Sequence, residues 1–242
     1  MSESSVPEPV QGVTLRMVLV ETQHPGNIGS AARAMWAMGL DDLWLVRPRQ
    51  FPDPQAQRMA TEANALLEQA KVVDSLEQAV ADCALVIAAS RRSRQRFWPE
   101  TDISSALRRG QTLGGGHTVA VVFGPEPSGL TTAQVRCSDV QAAIPTVEHG
   151  GSLNLAQAVQ VFAWEWRRLN LGEQPQSGQH SEEWTGAEDR ARLFSQLQNA
   201  LETLLDDANE AQKVRWRLQA MSQRAGITRS EWRLISGLLR RS

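Results

Sequence analysis

"VTLRMVLVETQHPGNIGSAARAMWAMGLDDLWLV", Val13 to Val46, changes its hydrophobic rhythm twice. Its first part, "TLRMVLVET", is an almost unbroken apolar run with little alternation, the pattern of a strand covered on both faces. "NIGSAARAMWAMG" then takes up helical spacing, and "LWLV" returns to a strand. A strand, a helix and a second strand in so short a span make a βαβ unit, which commits the region to a parallel sheet.

The same alternation continues outward. "CALVIAAS", "TVAVVFG" and "VQAAIP" read as further strands, and "QAQRMATEANALLEQA", "SLEQAVAD" and "SLNLAQAVQVFAWEWRRL" as helices. The expected fold class is therefore α/β, with a doubly wound parallel sheet over residues 13–170. Residues 171–186, rich in Gly, Pro and Ser, read as a linker. Residues 187–242 carry three helical segments, roughly Ala187 to Asp206, Glu210 to Arg224 and Thr228 to Arg240, the last opened by a capping-box pattern at Thr228 and Glu231. Residues 1–12 have neither the basic start nor the apolar centre of a secretory signal and read as a disordered lead-in.

Composition narrows the function. No apolar run approaches the length of a membrane span, so no membrane partner and a cytoplasmic location are expected. Cys83 and Cys137 lack ligand spacing and read as buried thiols rather than a disulfide or metal site. A net charge of −2 excludes a uniformly basic protein, yet Lys213 to Ser242 holds eight basic residues against one acidic, Glu231. A basic tail on a neutral body is a common shape for nucleic-acid contact.

In an open parallel sheet, ligands bind beyond the carboxyl ends of the strands. Four such exits stand out: the stretch from His24, "AASRRSR" from Ala88 to Arg94, "FGPEPSGL" from Phe123 to Leu130, and "IPTVEHGGSLNLAQAV" from Ile144 to Val159. The dinucleotide and P-loop fingerprints are absent from all four, which weighs against a nucleotide-binding oxidoreductase or a P-loop nucleotidase. Asn27 reads either as a helix N-cap or as a group turned toward Arg33 or a phosphate. Gly29 offers clearance for a partner chain or ligand. Glu126 is either a solvated loop carboxylate or an acceptor held in a stiff turn. Ser152 is a plausible helix N-cap, and Asn154 reads as lying inside the helix it opens. Trp98 follows four arginines in six residues, Arg91, Arg92, Arg94 and Arg96, and suits either base stacking or a solvated loop. Trp36, Trp44 and Trp164 suit core or dimer contacts.

"PGNIGSAARAMWAMGL", "FGPEPSGL" and "IPTVEHGGSLNLAQAVQVFAWE" resemble, in order and spacing, the three motifs of the SPOUT methyltransferases, specifically the TrmH-like RNA 2′-O-ribose methyltransferases. Within these, the tRNA cytidine/uridine enzymes are the most similar, from Leu15 onward. The resemblance implies a SPOUT fold with a C-terminal trefoil knot, where pattern alone suggests an unknotted sheet. It also implies S-adenosylmethionine as cofactor, a homodimer, and tRNA as substrate, with a pyrimidine at position 32 of the anticodon loop as the target. By motif, the cofactor contacts fall on Ala89, Ser90, Arg91, Gly124, Glu126, Ile144, Gly151, Ser152 and Leu153. The catalytic group falls on Arg33, supported by Asn27, Glu126, Ser152 and Asn154. An arginine stays protonated to about pH 12 or above, so Arg33 suits gripping a phosphate and steadying a developing alkoxide better than abstracting a proton. RNA contacts are expected from Arg33, Arg92, Arg94, Arg96, Trp98, Arg215 and Arg217. Two departures bear on the RNA side: Pro125 and Pro127 stand where relatives usually carry basic residues, and the chain has no tyrosine. A non-catalytic RNA-binding paralogue, or a methyltransferase of another RNA, is the alternative.

Overall fold

The computed structural model describes residues 12–90, 100–113, 115–147, 153–171, 186–205, 207–225 and 228–239. The opening motif is as expected: β1 (Val13–Val20), α1 (Pro25–Ala37) and β2 (Asp42–Val46) form the βαβ unit. The chain continues through α2 (Pro54–Ala60), a 3-10 turn at Thr61–Ala63, α3 (Asn64–Gln69), β3 (Lys71–Val73), α4 (Leu76–Val80) and β4 (Leu85–Ala89). Then come β5 (Glu100–Asp102), α5 (Ile103–Gln111), β6 (His117–Phe123), α6 (Thr132–Arg136), β7 (Val140–Ala143) and α7 (Leu155–Leu171). Three helices follow: α8 (Ala187–Leu204), α9 (Ala208–Ala225) and α10 (Arg229–Leu239).

The seven strands lie in the order β3-β2-β1-β6-β4-β7-β5, with every neighbouring pair parallel. From β1 the chain works outward to β3, crosses to β4, and returns to insert β6 between β1 and β4. That reversal opens a crevice at the carboxyl ends of the central strands.

Alternation along β1 explains its continuous apolar run. Leu15, Met17 and Leu19 pack with residues of α1, α3, α5 and α7, whereas Val18 and Val20 pack on the opposite side with Leu76, Ala79 and Val135. Both faces are buried, so both parities must be apolar. Arg16 is the exception on the second face, 4% exposed, with its guanidinium donating to Asp42 (2.7 Å), Asp82 (2.6 Å) and the Ala79 carbonyl (2.8 Å) and lying over the Trp44 ring.

Three expectations change. β3 and β5 are strands that the hydrophobic pattern does not reveal, because each has three residues at a sheet edge with mostly exposed side chains. The helix expected over Gln55–Ala70 is broken at Thr61, whose φ of 51° leaves the helical region. Helix α7 runs through Leu171 and Gly186 caps α8, so both ends of the supposed linker belong to helices, while 172–185 lie outside the described residues, as do 1–11. The expected knot turns on the loop into α7, whose residues 148–152 also lie outside them.

The helical extension touches the second face of the sheet domain. The Arg190 guanidinium donates to Asp139 (2.7 Å) and to the Ala84 carbonyl (3.0 Å), and the Trp232 indole N–H donates to the Asp189 carbonyl, tying α10 to α8.

Candidate active site

The crevice holds a cavity of about 390 Å3 at the carboxyl ends of β4, β6 and β7. Phe123 and Phe162 form its apolar side, in edge-to-face contact with centroids 5.4 Å apart. Six of the nine residues expected to meet a cofactor line it: Ala89, Ser90, Gly124, Glu126, Ile144 and Leu153. The other three, Arg91, Gly151 and Ser152, lie outside the described residues. Gln141, 3% exposed, donates to the Ser90 carbonyl (3.0 Å) and so fixes the end of β4 against β7.

The turn after β6 has little freedom. A Cβ on Gly124 would stand 2.2 Å from the Leu130 nitrogen, so no larger residue fits there. Gly129 adopts φ of 64°, the left-handed region, and its N–H closes the turn on the Pro125 carbonyl (2.8 Å). The two unexpected prolines therefore stiffen the loop that presents Glu126.

Glu126 is the hub of the site. Its Oε1 accepts from the Asn27 side-chain amide (2.7 Å), and its Oε2 accepts from the Gln23 backbone N–H (3.0 Å). Asn154 donates to Asn27 Oδ1 (3.0 Å), which brings the first, third and fourth strand exits into one chain of hydrogen bonds. Burial alone would raise the Glu126 carboxyl, but donation from Asn27 and from the backbone of Gln23 outweighs it and holds the group below the usual carboxylate range. Glu126 is thus an ionised acceptor at neutral pH.

Several assignments are corrected by this geometry. Asn27 is not the N-cap of α1: His24 is, without a side-chain bond, and Asn27 stands in the first turn with its side chain turned to Glu126. Asn154 precedes α7 rather than lying inside it, accepting from the Ala156 N–H (2.9 Å) while Gln157 accepts from its own N–H (3.1 Å). Together these bonds cap the start of α7. Gly29 gives clearance to the chain itself, because a Cβ there would lie 2.0 Å from the Ala56 carbonyl oxygen of α2.

Arg33 does not join this cluster. It is exposed on α1 and has no hydrogen bond or ion pair among the described residues. Six residues of helix turn it about 120° away from Asn27. Arg92, Arg94, Arg96 and Trp98 lie outside the described residues. Arg217 is exposed and Arg215 half-buried on α9, on the opposite side of the sheet domain from α1 and α7. Sequence reasoning missed Gln23, whose contribution is a backbone N–H and leaves no side-chain signal. It also missed the wall residues Phe123, Thr146 and Phe162, although the last residue of an apolar strand is a recoverable cue.

Residues 14–164 match the SpoU rRNA Methylase family. The chain is 37% identical over 232 residues to the tRNA (cytidine/uridine-2′-O-)-methyltransferase TrmJ of Photorhabdus laumondii, covering 93% of this chain and 95% of the relative. The crystal structure of TrmJ from Z. mobilis ZM4 superposes with a TM-score of 0.78 at 33% identity, covering 93% of this chain and 97% of that one. A protein solved in work on 2-OH methylation of C/U34 on tRNA matches with a TM-score of 0.54 at 27% identity, covering 98% of its own length but 66% of this chain. The extent of these matches, together with a cavity lined by the second and third motifs and tied to the first through Asn27, establishes that the chain belongs to the SpoU rRNA methylase family.

Proposed function

We propose that this chain is an S-adenosylmethionine-dependent enzyme that methylates the 2′-hydroxyl of a cytidine or uridine in tRNA, at position 32 of the anticodon loop, working as a homodimer in the cytoplasm. The observation that carries this reading is the hydrogen-bonded chain of Asn27, Glu126 and Asn154, which ties three separate strand exits together beside one cavity. TrmJ relatives of almost the same length supply the reaction class.

The cavity suits the cofactor. Its volume is within the usual range for small-molecule sites, and it pairs apolar walls with a few fixed polar groups. Phe123, Ile144 and Phe162 would flank a flat base, the glycine turn at 124–129 would offer backbone groups, and the ionised Glu126 would favour a cationic centre nearby. When bound, the cofactor supplies an electrophilic methyl group.

The remaining work falls to the chain's own residues. Glu126 has both oxygens engaged and a depressed pKa, so it is a weak proton acceptor and acts by orienting Asn27 and the turn. Arg33 is free to grip an RNA phosphate and to stabilise charge growing on the 2′-oxygen, while the proton leaves to water. Its exposure and its direction away from its own Asn27 suit service to a site shared with a second copy. Trp164, 51% exposed on α7, is an apolar surface available for that contact.

Incubating the protein with unmodified tRNA and isotopically labelled cofactor, then mapping the modified nucleotide by mass spectrometry, tests the reading. Labelling of one pyrimidine ribose is expected. Absence of transfer by a protein that binds neither cofactor nor tRNA would sink it. Arg33→Ala should lower transfer by about a hundredfold or more with the fold intact, the size of effect seen when one charge-stabilising donor is removed. Full activity in that variant would overturn the role given to Arg33.

A further inference from the structure

Two neighbouring strands end on the same unusual corner. Glu21 follows the last residue of β1 and Arg47 the last residue of β2, and those two last residues, Val20 and Val46, are partners in the parallel register. Both corner residues leave their strands in the left-handed region, with φ of 49° and 43°. A residue with a Cβ is held there at a cost, which is why glycine or asparagine usually takes such positions. Each corner is pinned by several bonds. The Glu21 N–H donates to the Val46 carbonyl (2.8 Å) and the Arg47 N–H to the Val73 carbonyl (3.0 Å), so the ladder runs one step past each strand. The Glu21 carbonyl accepts from the Gln23 side-chain amide (2.7 Å), and the Glu21 carboxylate pairs with the Arg47 guanidinium. Strain that its surroundings over-determine in this way is found where backbone direction serves a site. Both groups seen donating to the Glu126 carboxylate, the Gln23 backbone N–H and the Asn27 side chain, lie in the segment that begins at this corner.

We propose that Glu21 is a positioning residue for the reaction, whose left-handed backbone, braced by Arg47, aims the segment from Gln23 to Asn27 at Glu126. This rests on the reading of the chain as a methyltransferase. It adds a residue that neither lines the cavity nor belongs to the chain of Asn27, Glu126 and Asn154. An extended residue at position 21 would carry the chain onward along β1 at about 3.3 Å per residue, whereas the corner turns it. The Gln23 N–H cannot be removed by replacing its own side chain with another, so its aim is set by the backbone before it. The Glu21 carboxylate serves that backbone through Arg47: with the pair intact a residue bearing a Cβ is held at positive φ, and without it glycine alone takes up the conformation at no steric cost. The effect reaches Glu126 as charge. Donation from the Gln23 N–H is one of the bonds that hold its carboxyl below the usual range, so a corner that opens lets that pKa rise.

The test uses the full chain and three substitutions. Glu21→Gly and Glu21→Ala both remove the carboxylate and differ in the freedom of φ, while Glu21→Val brings a β-branched residue, the kind least suited to positive φ. Two quantities are measured for each: methyl transfer to unmodified tRNA, and the pH titration of the Glu126 carboxyl carbon by NMR, assigned by its loss in Glu126→Gln. Glu21→Gly should keep transfer within about twofold to threefold of the unsubstituted protein, with the Glu126 titration unmoved. Glu21→Ala should transfer about fivefold more slowly than Glu21→Gly, and Glu21→Val about tenfold or more, with the Glu126 pKa rising toward the usual carboxylate range in both. A residue that only held the fold together would lower the melting temperature without moving that titration in the folded protein. Loss of transfer with the Glu126 titration unmoved therefore overturns the proposal. Equal transfer by Glu21→Gly and Glu21→Ala, whether kept or lost, overturns it too, because the freedom of φ would then not matter. Should Glu21→Val not fold, the Gly and Ala pair decides. If the unsubstituted protein transfers no methyl group, the proposed activity fails, while the Glu126 titration in Glu21→Gly and Glu21→Ala still decides the role of Glu21.

Discussion

The motif cavity and the α6–α9 contact handle polar groups in opposite ways. Around the cavity, Asn27, Glu126, Asn154 and Gln23 satisfy one another through bonds of 2.7–3.0 Å before any ligand arrives. At the α6–α9 contact, three buried donors, Arg136 Nε, Arg215 Nε and Trp216 Nε1, find no acceptor among the described residues. A completed network fixes geometry in advance, which suits a reaction needing alignment. The crevice side of the molecule closes its polar groups on one another, whereas the α6–α9 side leaves some of its own unpaired among the described residues.

The strongest attack on the completed network is through its tightest turn. Gly124→Val places side-chain atoms where Leu130 nitrogen already stands, and cofactor binding by calorimetry should vanish. Retained binding would show that the cavity is not the cofactor site. Next in size, Glu126→Gln keeps the shape but sets an amide against one of the donors, Asn27 or Gln23. Methyl transfer should fall about a hundredfold, with a stability loss of about 1–3 kcal/mol in urea titration. Activity within a few fold of the starting protein would remove Glu126 as the hub.

On the other side of the molecule, Asp139→Ala removes the carboxylate partner of Arg190, which is 13% exposed and anchors α8, and leaves its bond to the Ala84 carbonyl in place. A destabilisation of about 2–4 kcal/mol is expected, with faster amide exchange in α8 than in β1. Equal protection of α8 before and after would mean that the extension is held by other contacts. The smallest effect concerns acid. The folded-state pKa of Glu126 lies below its unfolded value, so its stabilising share is fully present above about pH 4.3 and is lost as pH falls through the folded value. Other depressed carboxylates share the acid decline, so the difference between the starting protein and Glu126→Gln isolates this part. That difference should shrink as pH drops from about 6 to 3; a difference that grows would reverse the assigned sign.

The sheet domain was legible because buried parallel strands and an amphipathic helix impose periods on the sequence, as in Val13 to Val46. The site was legible where backbone geometry demands glycine, at Gly124 and Gly129. What escaped is what periods do not encode. The edge strands β3 and β5 have three residues each, too few to show a pattern. The cap of α7 shifted to Asn154 because its fit depends on Gln157 and Ala156 together, not on residue type. Gly29 looked like an opening to a partner and instead carries the crossing of α2. Orientation was not legible either: one reading turned Asn27 toward Arg33 or a phosphate, and the structure turns it to Glu126.

The insertion of β6 between β1 and β4 has a consequence for synthesis. Asn27 meets Glu126 across 99 residues and Asn154 across 127, so the lock cannot close until most of the domain has been made. Contacts of that span carry the full loop-closure entropy and form late. A nascent chain ending before α7 would possess β1, α1 and the glycine turn but not the cavity. Cofactor binding would therefore mark a finished polypeptide, and a stalled one would remain inert toward RNA methylation.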